Sequence, residues 1–222
     1  MWCVPSLDAE FIARMEKLLR LYAEPLSEAE PVVCLDEKPV QLLRDARATR
    51  RCSNGSVLRD YEYRRCGTAN IFCVVDPKAG RHFIKVTRRR TKADFARCVR
   101  DIVRRYPRAR TIHLVMDNLS THSFRALEET FGLGTAKKLW RRLTVHFTPK
   151  HGSWLNQAEI EISMVSNESL GRRRFGDIDA LRRHVGAWQR AANRDRRRIR
   201  WGFTVRKARK KFAYMKRHSS SR

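Results

Sequence analysis

Between Asp8 and Tyr22, the apolar residues Phe11, Met15, Leu18, Leu19 and Leu21 recur at helical spacing, and Pro25 stops the run. After Pro31 the pattern changes to a continuous apolar stretch ending in an acid, VVCLD, which predicts a buried strand closing on Asp36. A turn-rich stretch around Ser53-Asn54-Gly55 follows. Two β-rich runs in ANIFCVVDPKAGRHFIKVT then flank Asp76-Pro77-Lys78-Ala79-Gly80, which reads as a hairpin. TKADFARCVRDIVRRYP places Phe95, Val99, Ile102 and Val103 on one helical face, with Thr91 as its cap and Pro107 beyond its end. TIHLVMD is a second apolar strand closed by an acid, Asp117.

Residues 123–140 read as helical with a break at Gly132-Leu133-Gly134, and LTVHFTP as a short strand ended by Pro149. Residues 154–170 and 178–193 read as two further helices, joined by a basic connector, 171–176. A hairpin followed by strand, helix and strand implies a mixed sheet covered by helices, an α/β fold. The expected organisation is an N-terminal helix and linker (1–30), a central domain (31–170) and a basic helical extension (171–222).

Composition narrows the partner. The 222 residues hold 49 Lys and Arg against 23 Asp and Glu, a formal net charge of +26, and residues 171–222 alone carry 19 bases against 3 acids. An excess of that size exceeds what solubility requires and points to a polyanion, nucleic acid first. No apolar run nears the roughly 18 residues of a membrane span, and the N-terminus lacks the basic and apolar regions of a signal peptide. A cytoplasmic, nucleoid-associated protein with no membrane partner is expected. The six cysteines form no CxxC pair and read as reduced thiols, Cys34 and Cys73 as buried small hydrophobes.

Three acids sit at element edges where a rigid scaffold presents side chains: Asp36, Asp117, and Glu159 near the start of the helix opened by GSWLNQAE. Clustered carboxylates repel one another and raise each other's pKa, so a group of this kind suits a cation, and oxygen ligands favour Mg2+ or Mn2+. Two such ions activate an attacking oxygen and stabilise a leaving one in phosphodiester chemistry. Taken singly, a strand-end Asp is commonly a turn or cap residue.

The segments CLDEKPVQLL, VMDNLSTH and HFTPKHGSWLNQAEIEIS, in that order, resemble the three catalytic blocks of bacterial insertion-sequence transposases of the six-thirty family, mariner-related members of the DDE superfamily. The resemblance spans roughly residues 1–215. It implies an RNase H-like mixed sheet flanked by helices, a DDE triad, two divalent ions, and DNA cleavage and strand transfer by a homodimer holding transposon ends and target DNA. The triad maps onto Asp36, Asp117 and Glu159. Glu161 is the rival third ligand, because residues i and i+2 of a helix point about 200° apart and only one can face the metals. A truncated, catalytically idle DNA-binding remnant and an RNase H-like nuclease without strand transfer are the competing readings.

Lys150 and His151, just ahead of Glu159, are expected to meet the scissile phosphate. His122 reads equally as a phosphate contact or a loop filler, Asn118 as a ligand contact or a turn residue, and Trp154 as a core anchor. Arg172, Arg173, Arg174, Arg196, Arg197, Arg198, Lys210 and Lys211 are expected to bind DNA phosphates, as is the run Arg88-Arg89-Arg90. The interleaved Trp201, Phe203, Phe212 and Tyr214 offer stacking for splayed bases, or part of a core. The helix ahead of Asp36 is acidic, so no recognition helix is visible there, and little discrimination between terminal repeat and scrambled duplex is expected.

Overall fold

The computed structural model describes residues 7–214 apart from 49, 56, 59 and 60. Its elements run α1 (Ala9–Ala23), β1 (Val32–Asp45), the short pair β2 (Arg50–Arg51) and β3 (Val57–Leu58), β4 (Tyr63–Asp76), β5 (Arg81–Thr87), α2 (Lys92–Arg105), β6 (Ile112–Met116), α3 (Phe124–Phe131), α4 (Leu133–Trp140), β7 (Leu143–Phe147), α5 (Ala158–Met164), α6 (Ile178–Arg194) and α7 (Val205–Phe212). The main sheet has the order β5-β4-β1-β6-β7. β1 pairs antiparallel with β4, and β4 with β5, whereas β1 and β6, and β6 and β7, are parallel. This is the mixed, helix-flanked sheet expected of an RNase H-like fold.

Strand alternation distributes the core. Val33, Leu35, Phe72 and Val74 face Phe95, Val99 and Ile102 of α2 in one cluster. Ile71, Cys73, Ile84 and Val86 face Leu181, Val185 and Trp188 of α6 in a second. Cys34, Val75 and Val115 face Phe11, Met15, Leu18 and Tyr22 of α1, together with Ala158 and Ala208, in a third. Residues from all three expected segments therefore meet in that last cluster. Burial raises the Cys34 and Cys98 thiols to about 12, and Cys73 is raised too, as suits buried, unreactive small hydrophobes.

Two elements differ from the expected pattern. β1 does not stop at Asp36 but continues to Asp45, because β4 pairs with it along nearly its whole length. β6 pairs only with Val32–Cys34, so the later part of β1 has an open edge that tolerates Pro39. The expected helix at 154–170 is a 3-10 turn, Ser153–Leu155, then α5, then a wider π-helical stretch, Val165–Leu170. The helical break at 132–134 narrows to Gly132, whose φ of 78° lies in the region that glycine adopts most easily. The hairpin at Asp76–Gly80 forms as expected. Gly80 has φ 64°, and a Cβ there would lie 2.6 Å from the Arg196 carbonyl oxygen, so both turn and packing require glycine.

Candidate active site

The point where β6 leaves β1 sets the site. Cys34 is the last β1 residue in register with β6, opposite Val115, and continuing that register brings Asp36 level with Asp117, the first residue after β6. α5 packs against β1 and β4, and Glu159 lies half-buried in its first turn. Asp36 Oδ1 accepts the Glu37 amide at 2.7 Å. Burial, followed by the charges of Glu159, Asp117 and Glu37, raises the Asp36 carboxyl to about 7. The three expected carboxylates are thus electrostatic neighbours at one edge of the sheet.

Glu161 occupies a different environment. It is fully buried, and both of its carboxylate oxygens lie 2.9 Å from His82 Nδ1 on β5. His82 Nε2 lies 2.9 Å from the Arg197 carbonyl oxygen. Burial raises the Glu161 carboxyl, and the contact with His82 opposes that shift.

His122 is the unexpected centre of the site. Its ring is buried and stacks on Phe95 with centroids 4.6 Å apart. Nδ1 lies 2.6 Å from Asp117 Oδ1 and Nε2 lies 3.1 Å from Glu37 Oε1. Burial disfavours a charged ring, yet the two carboxylates outweigh it and hold His122 at about 9, so the ring is a cation at neutral pH. The same contact lowers the Asp117 carboxyl, against the opposing effect of burial. Glu37 escaped the sequence reading, although alternation along β1 gave a signal: the residue after an outward-facing Asp36 turns into the α2 core, where a buried acid needs a partner.

Asp117, Asn118, Pro149, Lys150 and His151 line one groove of about 660 Å³, to which the N-terminal half of α1 and its cap contribute Asp8, Glu10 and Arg14. Lys150 and His151 are exposed, and His151 has φ 60°, a left-handed backbone at the groove wall. Among the distal bases, Arg172, Arg173, Arg196, Arg198, Lys210 and Lys211 are exposed. Two others are engaged within the protein. Arg174 pairs with Asp45 at 2.8 Å, donates to the carbonyls of Tyr61 and Glu62, and lies over the Tyr63 ring. Arg197 pairs with Glu168 and Asp195.

The tail aromatics are core rather than stacking surface. Trp154 packs edge-on against Phe203 at 5.5 Å, and Phe212 and Tyr22–Trp201 extend the same cluster.

Whether the acids suit a divalent ion is tested by their own electrostatics. An all-oxygen donor set with one carboxyl raised to about 7 by buried like charges is the environment that a hard cation relieves. Among the described residues, no three His, Cys, Asp or Glu side chains converge as a metal centre, so the carboxylates are neighbours in charge and not yet arranged as ligands. Among the same residues, no helix is long and apolar enough to cross a membrane.

A family profile described as DDE superfamily endonuclease matches residues 31–182. No curated protein matches the chain. Among solved structures, the Mos1 mariner paired end complex with Mn superimposes with a TM-score of 0.57 at 16% identity, over 86% of this chain and 58% of that one. The Mos1 strand transfer complex gives 0.56 at 16%, over 86% and 57%. The Mos1 paired end complex with Mg gives 0.55 at 15%, over 89% and 59%. At these identities the likeness concerns the fold, and the chain spans less than two thirds of the Mos1 length.

Proposed function

The chain belongs to the DDE superfamily of endonucleases, and from that premise we propose that it is the catalytic domain of a transposase that cleaves and rejoins DNA strands. Asp36, Asp117 and Glu159 would hold two divalent ions, Mg2+ or Mn2+. The observation that carries this reading is the Asp36 carboxyl, raised to about 7 by burial and by the charges of its two partners. When bound, the ions supply a lowered pKa for the attacking oxygen and charge neutralisation at the leaving one.

The chain's own residues do the rest. Asp36, its carboxyl raised by burial and by the neighbouring acids, would have to be ionised to hold a cation, so affinity for the ion is expected to rise with pH. Asp117 is kept ionised by His122. Lys150 and His151 line the groove beside Asp117, where they would bind and orient the scissile phosphate. Arg172, Arg173, Arg196, Arg198, Lys210 and Lys211 add phosphate contacts that position the duplex without reading its sequence. Arg88, Arg89 and Arg90 are exposed on the connection into α2, and Arg90 Nη1 lies 3.9 Å from Glu37 Oε2, close to the site. The full reading is a bacterial, nucleoid-associated insertion-sequence enzyme of the six-thirty family, acting as a homodimer on transposon ends and target DNA.

The test is cleavage and joining of duplexes bearing the element's ends by the purified chain with Mg2+ or Mn2+. Metal-dependent nicking followed by strand joining supports the reading. Nicking without joining would indicate a nuclease, and DNA binding without nicking an idle remnant.

A further inference from the structure

Three consecutive residues of β1 each reach a different part of the site. The Leu35 carbonyl accepts from Asn156 Nδ2 at 2.8 Å, and Asn156 Oδ1 accepts from the Ala158 amide at 3.2 Å. Ala158 opens α5 and directly precedes Glu159. One buried side chain, 1% exposed, therefore ties the start of that helix to the strand. Asp36 comes next. Glu37 turns to the opposite face, where His122 bridges it to Asp117.

The sheet does not provide these links. Hydrogen-bond pairing between β1 and β6 ends at Cys34, so the ladder leaves the segment from Asp117 to His122 without a connection to β1. α5 approaches β1 by packing, which tolerates sliding more readily than a directed hydrogen bond does. Three like-charged carboxylates on three elements also repel, so their separations relax outward unless held. Stacking on Phe95 accounts for a ring at position 122. It does not account for a carboxylate at each of that ring's nitrogens.

We infer that Asn156 and His122 are positioning residues that reference Glu159 and Asp117, respectively, to strand β1 on either side of Asp36. This rests on the reading of the three carboxylates as metal ligands. Groups that orient metal ligands typically contribute about 10–100-fold to affinity, because they fix the ligand geometry before the ion arrives.

The test is Mn2+ binding to the full chain, with the free ion followed by electron paramagnetic resonance, so that no DNA or turnover is needed. Asn156→Ala is expected to weaken Mn2+ binding by about tenfold or more. Its loss of two buried hydrogen bonds also lowers the melting temperature, so Val185→Ala in the α6 core, a destabilised variant in a cluster that holds none of Leu35, Phe95 and Ala158, serves as the control and should bind Mn2+ like the wild type. His122 provides a second test: with its bridge between Asp117 and Glu37 removed, positioning predicts weaker Mn2+ binding. His122→Gln, which keeps an N–H donor, should fall between the wild type and His122→Ala. If Asn156→Ala and His122→Ala bind Mn2+ as tightly as Val185→Ala, or more tightly, the inference is overturned. If Asp36→Asn and Asp117→Asn themselves leave Mn2+ binding at the wild-type level, the metal-ligand reading fails, and the inference falls with it.

Discussion

The edge of the sheet at Asp36 and the contact between α1 and α7 both bring acids out of water, but they treat them in opposite ways. At the α1–α7 contact, Glu16 is buried and accepts from Arg209 at 2.8 and 3.0 Å and from Arg20 at 2.6 Å. Those hydrogen bonds, led by the one from Arg209, lower the Glu16 carboxyl against the opposing effect of burial. At the sheet edge, Asp36, Asp117, Glu159 and Glu37 meet His122 and, 3.9 Å from Glu37, the exposed Arg90, and Asp36 is raised. An acid matched by bases holds the fold together. Acids that outnumber their cations strain it, and the excess charge suits a ligand.

The difference is broken most severely by removing a site carboxylate. Asp117→Asn should lower metal-dependent strand cleavage by about a thousandfold, the loss of several kcal/mol of transition-state stabilisation, with duplex affinity nearly unchanged. Cleavage by this variant at the wild-type rate would remove Asp117 from the triad. Asp36→Asn should in addition raise the melting temperature without divalent ions by about 2–4 °C, since about 1 kcal/mol of like-charge and burial cost disappears. A lower melting temperature would place Asp36 among the stabilising acids.

Glu159 and Glu161, two residues apart on α5, carry the same contrast within one helix. Glu159→Gln is expected to abolish cleavage while leaving the fold intact. Glu161→Gln should cost about 1–3 kcal/mol of stability by disturbing a buried charged hydrogen bond to His82, with a smaller loss of cleavage. Thermal melts and single-turnover rates on both variants decide the assignment, and greater damage to catalysis at 161 reverses it.

Glu16→Gln should destabilise the protein by about 1–3 kcal/mol at pH 7. Because folding depresses the Glu16 pKa, its contribution is complete above the unfolded glutamate value of about 4.3 and is lost as pH falls through the lower folded value. The melting temperatures of wild type and variant should therefore begin to converge as pH falls below the unfolded value and meet only below the folded one, and a gap that persists at still lower pH would show that shape and not charge joins α1 to α7. The smallest effect is expected at the exposed face of α7. Each of Lys210→Ala and Lys211→Ala should reduce the slope of log affinity against log salt by about 0.9 for a lost duplex contact, and unchanged slopes would place that face off the DNA.

Much of this was legible in the order of residues. The 3.6-residue period over 8–22 and 91–107, and the apolar runs ending in Asp36 and Asp117, located α1, α2, β1 and β6, because burial of one face is a local property of the pattern. The charge excess was equally plain. The distal half of β1 was not, since DEKPVQLLRD has neither alternation nor strand composition and becomes strand only by pairing with β4. Arg174 and the tail aromatics were read from the density of bases around them, which cannot distinguish a guanidinium over Tyr63 from one in solvent.

The sequence by itself determined which residues are acids at element edges, which helical and strand periods surround them, and that the chain carries far more positive charge than folding needs. Only the tertiary structure decided which acids face one another. Leu35, Asp36 and Glu37 are neighbours in the chain, yet alternation sends the two acids to opposite faces, one toward Glu159 and the other to His122. Glu159 and Glu161 are separated by one residue, yet one lies beside Asp36 and the other is sealed against His82. A carboxylate's charge is written in its own residue, but its pKa and its partner depend on burial and on groups such as His82, 79 positions from Glu161, and His122, 85 positions from Glu37. Those separations are fixed only when the sheet register and the packing of α5 and the 117–122 segment have closed around it.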